Sequence, residues 1–329
     1  MQAPEETDKK GERARKSPHA FAAIDLGTNN CRLLVARPLR SGGFRVLDSF
    51  SRIVRLGEGV ASSGTLSEDA MARTVAALKI CARRLRRHGA VPLRAVATAA
   101  CRHARNADAL VARAEEEAGI RLEIVSEAEE ARLAAVGCAP LVGREYEGAL
   151  VFDIGGGSTE MIWLRRNADT QTIETAFAAS VPVGVVSLSE TGGDYARHVR
   201  EVTPVFEEVA RAMREAAGAF PVETHHLLGT SGTVTTLAGV SLALPRYDRQ
   251  KIDGSWHERL RLLEVVDHLV ALTSAERAKM PCVGPERADL MTAGCAAFAA
   301  LQAQWPCARL CVADRGLREG ILRELMGHA

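Results

Sequence analysis

The sequence predicts an α/β protein built from two related lobes that enclose a cleft. The main observation is a device that occurs twice, in which an apolar strand ends on an Asp, a Gly-rich turn follows and a second strand leaves. Alternating helix and strand patterns follow each copy, an order typical of α/β proteins. The length of 329 residues allows two domains, each with a core of its own.

The two copies of this device start 128 positions apart. The first consists of Asp25 followed by Gly27, Thr28, Asn29 and Asn30, and the second of Asp153 followed by Gly155, Gly156, Gly157, Ser158, Thr159 and Glu160. Such turns direct several backbone N–H groups at one point, which suits a phosphate group, and the Asp beside each turn can hold a metal ion or a water. We therefore expect a phosphate chain clamped between the lobes. The alternative is a pair of tight hairpins that use Gly and Asp for turn geometry alone.

The pattern of apolar residues sets the expected order of elements. In the first lobe, strands are predicted over 21–26, 32–37, 44–50, 93–98 and 121–125, and helices from Ser67 to Gly89, from Asn106 to Gly119 and over 127–137. In the second lobe, strands are predicted over 148–154, 158–164, 173–179, 224–229 and 309–313, with helices over 200–217 and Glu286–Leu301 and a closing helix. Ser and Asn are common helix N-caps and Gly commonly ends helices.

These elements divide the chain into three parts. The polar, charged segment 1–19 is expected to be a disordered tail. The first lobe is predicted over 20–128 plus 314–329, and the second lobe over 129–313.

Composition excludes several classes of function. The formal net charge is only +1, so anion binding must come from local geometry and local Arg. No apolar run approaches the roughly 20 residues that span a bilayer, and the tail does not resemble a secretory signal, so we expect a cytoplasmic protein without a membrane partner. The few, scattered aromatic residues do not form a stacking platform for a nucleic acid polymer. The eight Cys lack CxxC pairing and are expected to be free, buried thiols rather than zinc ligands.

Two familiar phosphate-binding loops are absent. No Gly-Lys-Ser/Thr follows either turn, and Glu160 stands where a dinucleotide fingerprint would place its third Gly. A third strand–Gly turn–helix element is predicted at Gly229–Thr235.

Three charged side chains are the best candidates for chemistry. Ser126 and Glu129 have capping-box spacing and Glu127 suits a helix N-terminus, whereas Glu130 has no such structural explanation. It is therefore the candidate working carboxylate; the alternative is a solvated acidic helix start. Glu160 would repel a phosphate in the second turn unless a cation intervened, which implies Mg²⁺ or a held water; the alternative is an outward strand position. Arg102 follows a buried strand and would suit a terminal phosphate, or it is a surface Arg.

Taken together, the motifs resemble one family, that of the exopolyphosphatases and guanosine pentaphosphate phosphohydrolases. The resemblance rests on the motifs Asp25–Asn30 with Arg32, Arg55–Gly59, Ala97–Arg102, Glu129–Arg132, Asp153–Glu160, Gly229–Thr233, Glu286–Asp289 and Arg315–Gly320. It implies the actin-like, ribonuclease H-like fold, with mixed sheets flanked by helices and a cleft between the lobes. It also makes a homodimer an expectation.

The resemblance further implies roles for single residues. Glu130 matches the carboxylate that activates water, and Asp153 and Glu160 match residues that place a metal ion and the water; Asp25 is the third expected metal ligand. The phosphate-binding set consists of Gly27, Thr28, Asn29, Asn30, Arg32, Arg102, Gly155, Gly156, Gly157, Ser158, Thr159, Gly232, Thr233 and Arg287. Within that set, Arg32 and Arg287 match contacts to outer phosphates or a base. The first turn departs from the family's usual Gly-Ser-Asn-Ser, since Thr28 and Asn30 replace the two Ser.

The expected activity is Mg²⁺-dependent hydrolysis of terminal phosphoanhydride bonds in inorganic polyphosphate, guanosine pentaphosphate or both, with release of orthophosphate. Two other functions stay open at this point. One is an ATP-dependent small-molecule kinase of the same fold, which would need an acceptor site. The other is a non-catalytic sensor that binds an alarmone or polyphosphate.

Overall fold

The computed structural model describes residues 20–40, 43–89 and 91–327, so the predicted tail over 1–19 lies outside the described residues. Eleven strands are described: β1 (Phe21–Leu26), β2 (Asn30–Pro38), β3 (Phe44–Ile53), β4 (Leu93–Ala97), β5 (Glu123–Ile124), β6 (Gly148–Ile154), β7 (Thr159–Arg166), β8 (Ile173–Val181), β9 (His225–Thr230), β10 (Ser255–Glu258) and β11 (Arg309–Val312).

Fourteen α-helices are described along the same parts of the chain: α1 (Val60–Ser63), α2 (Glu68–Arg86), α3 (Ala99–His103), α4 (Ala107–Ala118), α5 (Glu127–Cys138), α6 (Val185–Glu190), α7 (Tyr195–Ala217), α8 (Ser231–Ser241), α9 (Arg249–Ile252), α10 (Arg259–Ala271), α11 (Ser274–Lys279), α12 (Pro285–Ala288), α13 (Met291–Gln304) and α14 (Leu317–Leu325). None of the described helices is long and apolar enough to cross a membrane.

The strands form two sheets of the same design. The first has the order β3-β2-β1-β4-β5, and the second has the order β8-β7-β6-β9-β11 with β10 added at its edge. In both, the antiparallel hairpin that carries the Asp–Gly turn lies next to a parallel strand. The shared order confirms the predicted class of two related α/β lobes with mixed sheets.

Several helix ends follow from capping side chains. Ser67 accepts a hydrogen bond from the backbone N–H of Ala70, and Glu68 and Asp69 lie in the first turn of α2, as predicted from their types. The predicted helix over 200–217 begins earlier, at Tyr195, because Asp194 accepts a hydrogen bond from the Arg197 backbone N–H.

The helix predicted over Glu286–Leu301 is wrong as a single element. The chain forms α12 and α13, separated at Asp289 and Leu290. The buried Arg277 explains the break, because its Nε donates to the Ala288 carbonyl at 3.1 Å and so occupies an acceptor that a continuous helix would use.

Helices α5 and α14 cross each other between the two sheets. The α5 residues Ala131 and Ala134 pack on the second sheet, whereas Ile321 and Leu322 of α14 pack on the first. A Cβ on Gly320 would lie 1.9 Å from the Leu133 carbonyl oxygen, so the helices approach this closely only because Gly has no side chain. The helix crossing therefore connects the two sheets. The predicted domain boundaries at 128/129 and 313/314 stay predictions.

We expect Gly320→Ala to destabilise the protein by about 1–3 kcal/mol, because a methyl group there must push the two backbones apart. Thermal unfolding monitored by circular dichroism measures this. The companion variant Gly137→Ala acts at the same crossing, where its Cβ would lie 2.1 Å from the Gly316 carbonyl oxygen, so the double variant should cost less than the sum of the two. An unchanged unfolding midpoint in Gly320→Ala would contradict the crossing described here.

Candidate active site

The two Asp–Gly turns meet at the cleft between the sheets. A Cβ on Gly156 would lie 3.0 Å from the Thr28 Cβ, and one on Gly157 would lie 2.9 Å from the Thr28 Oγ1. The turns therefore touch across the cleft, and side chains at Gly156 and Gly157 would hold them apart. The sequence prediction that the turns face one another is confirmed.

A cavity of about 120 Å³ lies beside the touching turns. It is lined by all but two of the predicted site residues: Asp25, Gly27, Thr28, Asn29, Asn30, Arg32, Glu130, Asp153, Gly155, Gly156, Gly157, Ser158, Glu160, Gly232, Thr233 and Arg287. Residues from both hairpins, the start of α5 and the start of α8 thus share one wall.

The two hairpins place opposite charges at equivalent positions. In the first, Asp25 on β1 lies opposite Arg32 on β2. In the second, Asp153 on β6 lies opposite Glu160 on β7. Arg32 and Glu160 both come seven positions after the Asp, so the repeat itself contains this equivalence, which the sequence analysis did not use.

Burial dominates the electrostatics of the carboxylates in the cavity. It raises the pKa of Asp153 to about 6, although Arg32 opposes the rise. Burial likewise raises the pKa of Asp25, Glu130 and Glu160. For Glu160, the charges of Glu130 and Asp153 add to the rise. Neighbouring carboxylates with raised pKa values favour a bound cation or proton.

The donor set fits Mg²⁺. The described residues contain no group of three acidic, His or Cys side chains arranged to enclose a metal ion. Mg²⁺ does not require one, because it usually takes one or two carboxylates and completes its shell with waters and substrate phosphates. Asp25, Asp153 and Glu160 line one cavity with two phosphate-type turns, so any of them could supply such a carboxylate.

Two predicted phosphate contacts are not part of the cavity wall. Arg102 instead donates through Nη1 to Glu130 Oε2 at 2.6 Å and to the Val125 carbonyl at 3.1 Å. The Thr159 hydroxyl donates to the Val183 carbonyl at 2.6 Å, inside the protein. Arg102 thus contacts the candidate base rather than the cavity. In the second turn, Ser158 is the last side chain before Glu160 that lines the cavity, because the Thr159 side chain points away from it.

The third Gly turn contributes a residue that sequence reasoning missed. Ser231 lines the cavity in a left-handed conformation with φ 89°, and its buried Oγ has no hydrogen-bond partner among the described residues. A strained backbone of this kind costs about 1–3 kcal/mol and is concentrated at functional sites. The position of Ser231 inside the strand–Gly turn–helix motif was the available signal.

An adjoining cavity of about 350 Å³ shares Asp25, Arg32, Asp153 and Arg287 with the first. Its wall adds the guanidinium groups of Arg249, Arg315 and Arg318. Arg249 and Arg315 are paired with Glu319 and Asp253, whereas Arg287 donates only to the Thr236 hydroxyl among the described residues. Asp314 and Glu319 line this cavity as well, so its wall carries both guanidinium and carboxylate groups.

A cleft with touching phosphate-type turns, neighbouring carboxylates and an adjoining cavity rich in Arg is the site of an enzyme that handles phosphate groups. Comparison with known proteins names the family. The model of the Ppx/GppA phosphatase family matches residues 35–329, and the chain belongs to this family. The expectation of a hydrolase from this family is confirmed.

Three relatives illustrate the similarity. "Exopolyphosphatase 2" of Mycobacterium tuberculosis is 34% identical in an alignment 289 residues long that covers 83% of this chain and 86% of that protein. The solved Ppx/GppA family member of Aquifex aeolicus has a TM-score of 0.75 at 28% identity and covers 94% of this chain and 98% of its own. An exopolyphosphatase from Cytophaga hutchinsonii has a TM-score of 0.83 at 25% identity, covering 94% and 99%.

The contact between Arg102 and Glu130 predicts a pH effect. Arg102 lowers the pKa of Glu130, against the larger effect of burial. Arg102→Gln removes that cation, so the pKa of Glu130 rises and a higher pH is needed to ionise it. We expect the acid limb of the kcat/KM profile to move upward by about 1–3 pH units.

The pH profile of hydrolysis for wild type and Arg102→Gln measures this shift. Arg113→Gln is the control, because it removes an Arg whose ion pairs with Glu68 and Glu117 are outside the cavity. An activity loss that is equal at every pH, with the limb in place, would mean that Arg102 does not act through Glu130.

Proposed function

We propose that this chain hydrolyses the terminal phosphoanhydride bond of inorganic polyphosphate, guanosine pentaphosphate or both, and releases orthophosphate in the presence of Mg²⁺. The observation that carries the proposal is that Glu130 lines the same cavity as the two touching turns. A base, two N–H-rich turns and buried carboxylates are what phosphoanhydride hydrolysis requires. The names of the relatives support the substrate class.

The turns would hold the terminal phosphate. Backbone N–H groups of Thr28, Asn29 and Gly156–Ser158, with the Thr28 and Ser158 hydroxyls, are the donors available on the cavity wall. The Gly27 and Gly155 N–H groups instead donate to the Asn30 and Ser158 carbonyls and close the two turns. Fixed donors of this kind stabilise charge without reorganising during the reaction. Phosphoryl transfer makes little covalent demand on a protein, so positioning and charge stabilisation supply most of the rate.

Glu130 would orient the attacking water and accept its proton. The new bond joins the water oxygen to the terminal phosphorus, and the bond from that phosphorus to the bridging oxygen breaks. The raised pKa of Glu130 brings it nearer to neutral pH, where a general base is most effective. Mg²⁺, when held by the Asp25, Asp153 and Glu160 carboxylates, would neutralise phosphate charge.

The adjoining cavity would accept the remaining phosphate groups. Its Arg32, Arg287 and Arg318 side chains offer fork-shaped donors, which match phosphate oxygens. These guanidinium groups suit an extended anion and support a condensed phosphate or a polyphosphorylated nucleotide as substrate.

The proposal extends to a homodimer in the cytoplasm. The support for a reducing compartment is that all eight Cys are free thiols, as expected for intracellular proteins. Sedimentation equilibrium of the purified protein tests the dimer.

Glu130→Gln tests the assignment of the base. We expect orthophosphate release to fall by about 10²–10⁴, because glutamine has the shape of glutamate but cannot accept the proton. The assay follows orthophosphate from long-chain polyphosphate and from guanosine pentaphosphate in parallel, with Mg²⁺ and no other acceptor.

Glu127→Gln is the matched control, since it makes the same change in the same helical turn at a half-exposed side chain outside the cavity. Wild-type protein that transfers phosphate only to an added sugar would be a kinase. Tight binding without turnover would indicate a sensor. A fully active Glu130→Gln would exclude this residue as the base.

A further inference from the structure

Glu160 lies on β7, which pairs with one strand on each side. On one side, β7 pairs with β6, and Glu160 lies opposite Asp153. On the other side, β7 pairs with β8, and Glu160 lies opposite Ser180. Ser180 does not line the cavity and is not among the predicted site residues.

Two serine hydroxyls converge on one oxygen of this carboxylate. The Ser158 Oγ donates to Glu160 Oε1 at 2.6 Å, and the Ser180 Oγ donates to the same atom at 3.2 Å. The second oxygen, Oε2, has no hydrogen-bond partner among residues 20–40, 43–89 and 91–327. Glu160 is only 4% exposed and lines the cavity. The side chain is therefore held at one oxygen and left available at the other.

The two donors differ in how they can respond to a substrate. Ser158 belongs to the second turn and lines the cavity, so a phosphate in the turn competes for its hydroxyl. Ser180 lies on β8 outside the cavity wall, and its donated bond to Glu160 does not compete with a phosphate. Ser180 is thus the donor that persists when the cavity is filled.

Comparison with the first lobe shows that the hairpin does not need the hydrogen bond that the Ser180 hydroxyl donates. The residue opposite Arg32 in the first sheet is also a serine, Ser51. Ser51 is exposed and donates no hydrogen bond to a described residue. The serine hydroxyl is used only in the lobe where the equivalent residue is an acid.

We propose that Ser180 is a positioning residue: its hydroxyl holds Glu160 Oε1 so that Oε2 stays directed into the cavity, where it helps to hold a divalent cation. The cation and its use rest on the proposed function, but the positioning of Glu160 rests on the hydrogen bonds alone. A group that orients a metal ligand typically changes metal affinity or activity by about 10–100-fold when it is removed.

The pair Ser180→Thr and Ser180→Val tests the proposal, because the two side chains have nearly the same shape and only threonine keeps the hydroxyl. The first readout is Mn²⁺ binding to the metal-free protein without substrate, measured by electron paramagnetic resonance of the free ion. We expect Ser180→Val to weaken binding about tenfold or more and Ser180→Thr to stay within about threefold of wild type. The second readout is hydrolysis, where kcat should fall in the Val variant with KM nearly unchanged.

Equal Mn²⁺ affinity and equal kcat in the Val and Thr variants would overturn the proposal, as would wild-type protein that binds no Mn²⁺. If β-branched residues at this position prevent folding, Ser180→Ala replaces them, since it adds no atoms, and it must show the same loss of Mn²⁺ affinity. Wild-type Mn²⁺ binding that depends on Ser180 in a protein without phosphatase activity would support the positioning role and contradict the proposed function. Normal hydrolysis by the wild type, with no effect of Ser180→Val on Mn²⁺ affinity or kcat, would support the proposed function and contradict the positioning role.

Discussion

The structure depends on the burial of several carboxylates around one small cavity. Asp25, Asp153, Glu160 and Glu130 all line it, and burial is the largest cause of the raised pKa of each. Negative charges so placed are costly unless a cation or proton accompanies them. These carboxylates lie where the two hairpins meet, and every proposed step of the chemistry takes place beside them. A cavity lined in this way suits the cation and anion proposed to bind there together.

The repeated hairpin explains how one backbone design serves two purposes. Both copies place an Asp at the end of a central strand and a turn rich in N–H groups beside it. The next equivalent position is Arg32 in one lobe and Glu160 in the other. The first lobe thus places a cation in the cavity, and the second places an acid whose carboxylate accepts hydrogen bonds from Ser158 and Ser180. The touching turns bring these unlike halves together.

Much of the fold was predictable because its signals are local. The strands that flank the Asp–Gly turns, the cap at Ser67 and the apolar periodicity of α2 follow from short-range preferences. The division of the last long helix into α12 and α13 was not predictable, since it depends on Arg277, a residue from another helix, that reaches the Ala288 carbonyl.

In the candidate site, too, the residues with local sequence signals were predictable and those defined by distant contacts were not. Gly, Thr, Asn and Ser in the turns were identifiable from their own motifs, and Glu130 from the lack of a capping role. The contacts of Arg102 and Thr159 depend on partners at Glu130 and Val183, which are distant in the sequence and which only the folded chain brings near. Ser231 and Ser180 were missed for related reasons: one is defined by its backbone conformation, and the other by the register of two strands.

The central claim is that the buried carboxylates admit a phosphate only together with a divalent cation. Calorimetric titration of orthophosphate into the protein at several Mg²⁺ concentrations, and of Mg²⁺ at several phosphate concentrations, tests it most directly. We expect each ligand to raise the affinity of the other by the same factor, of about tenfold or more, as reciprocal linkage requires. Phosphate that binds equally well with and without Mg²⁺ would contradict it.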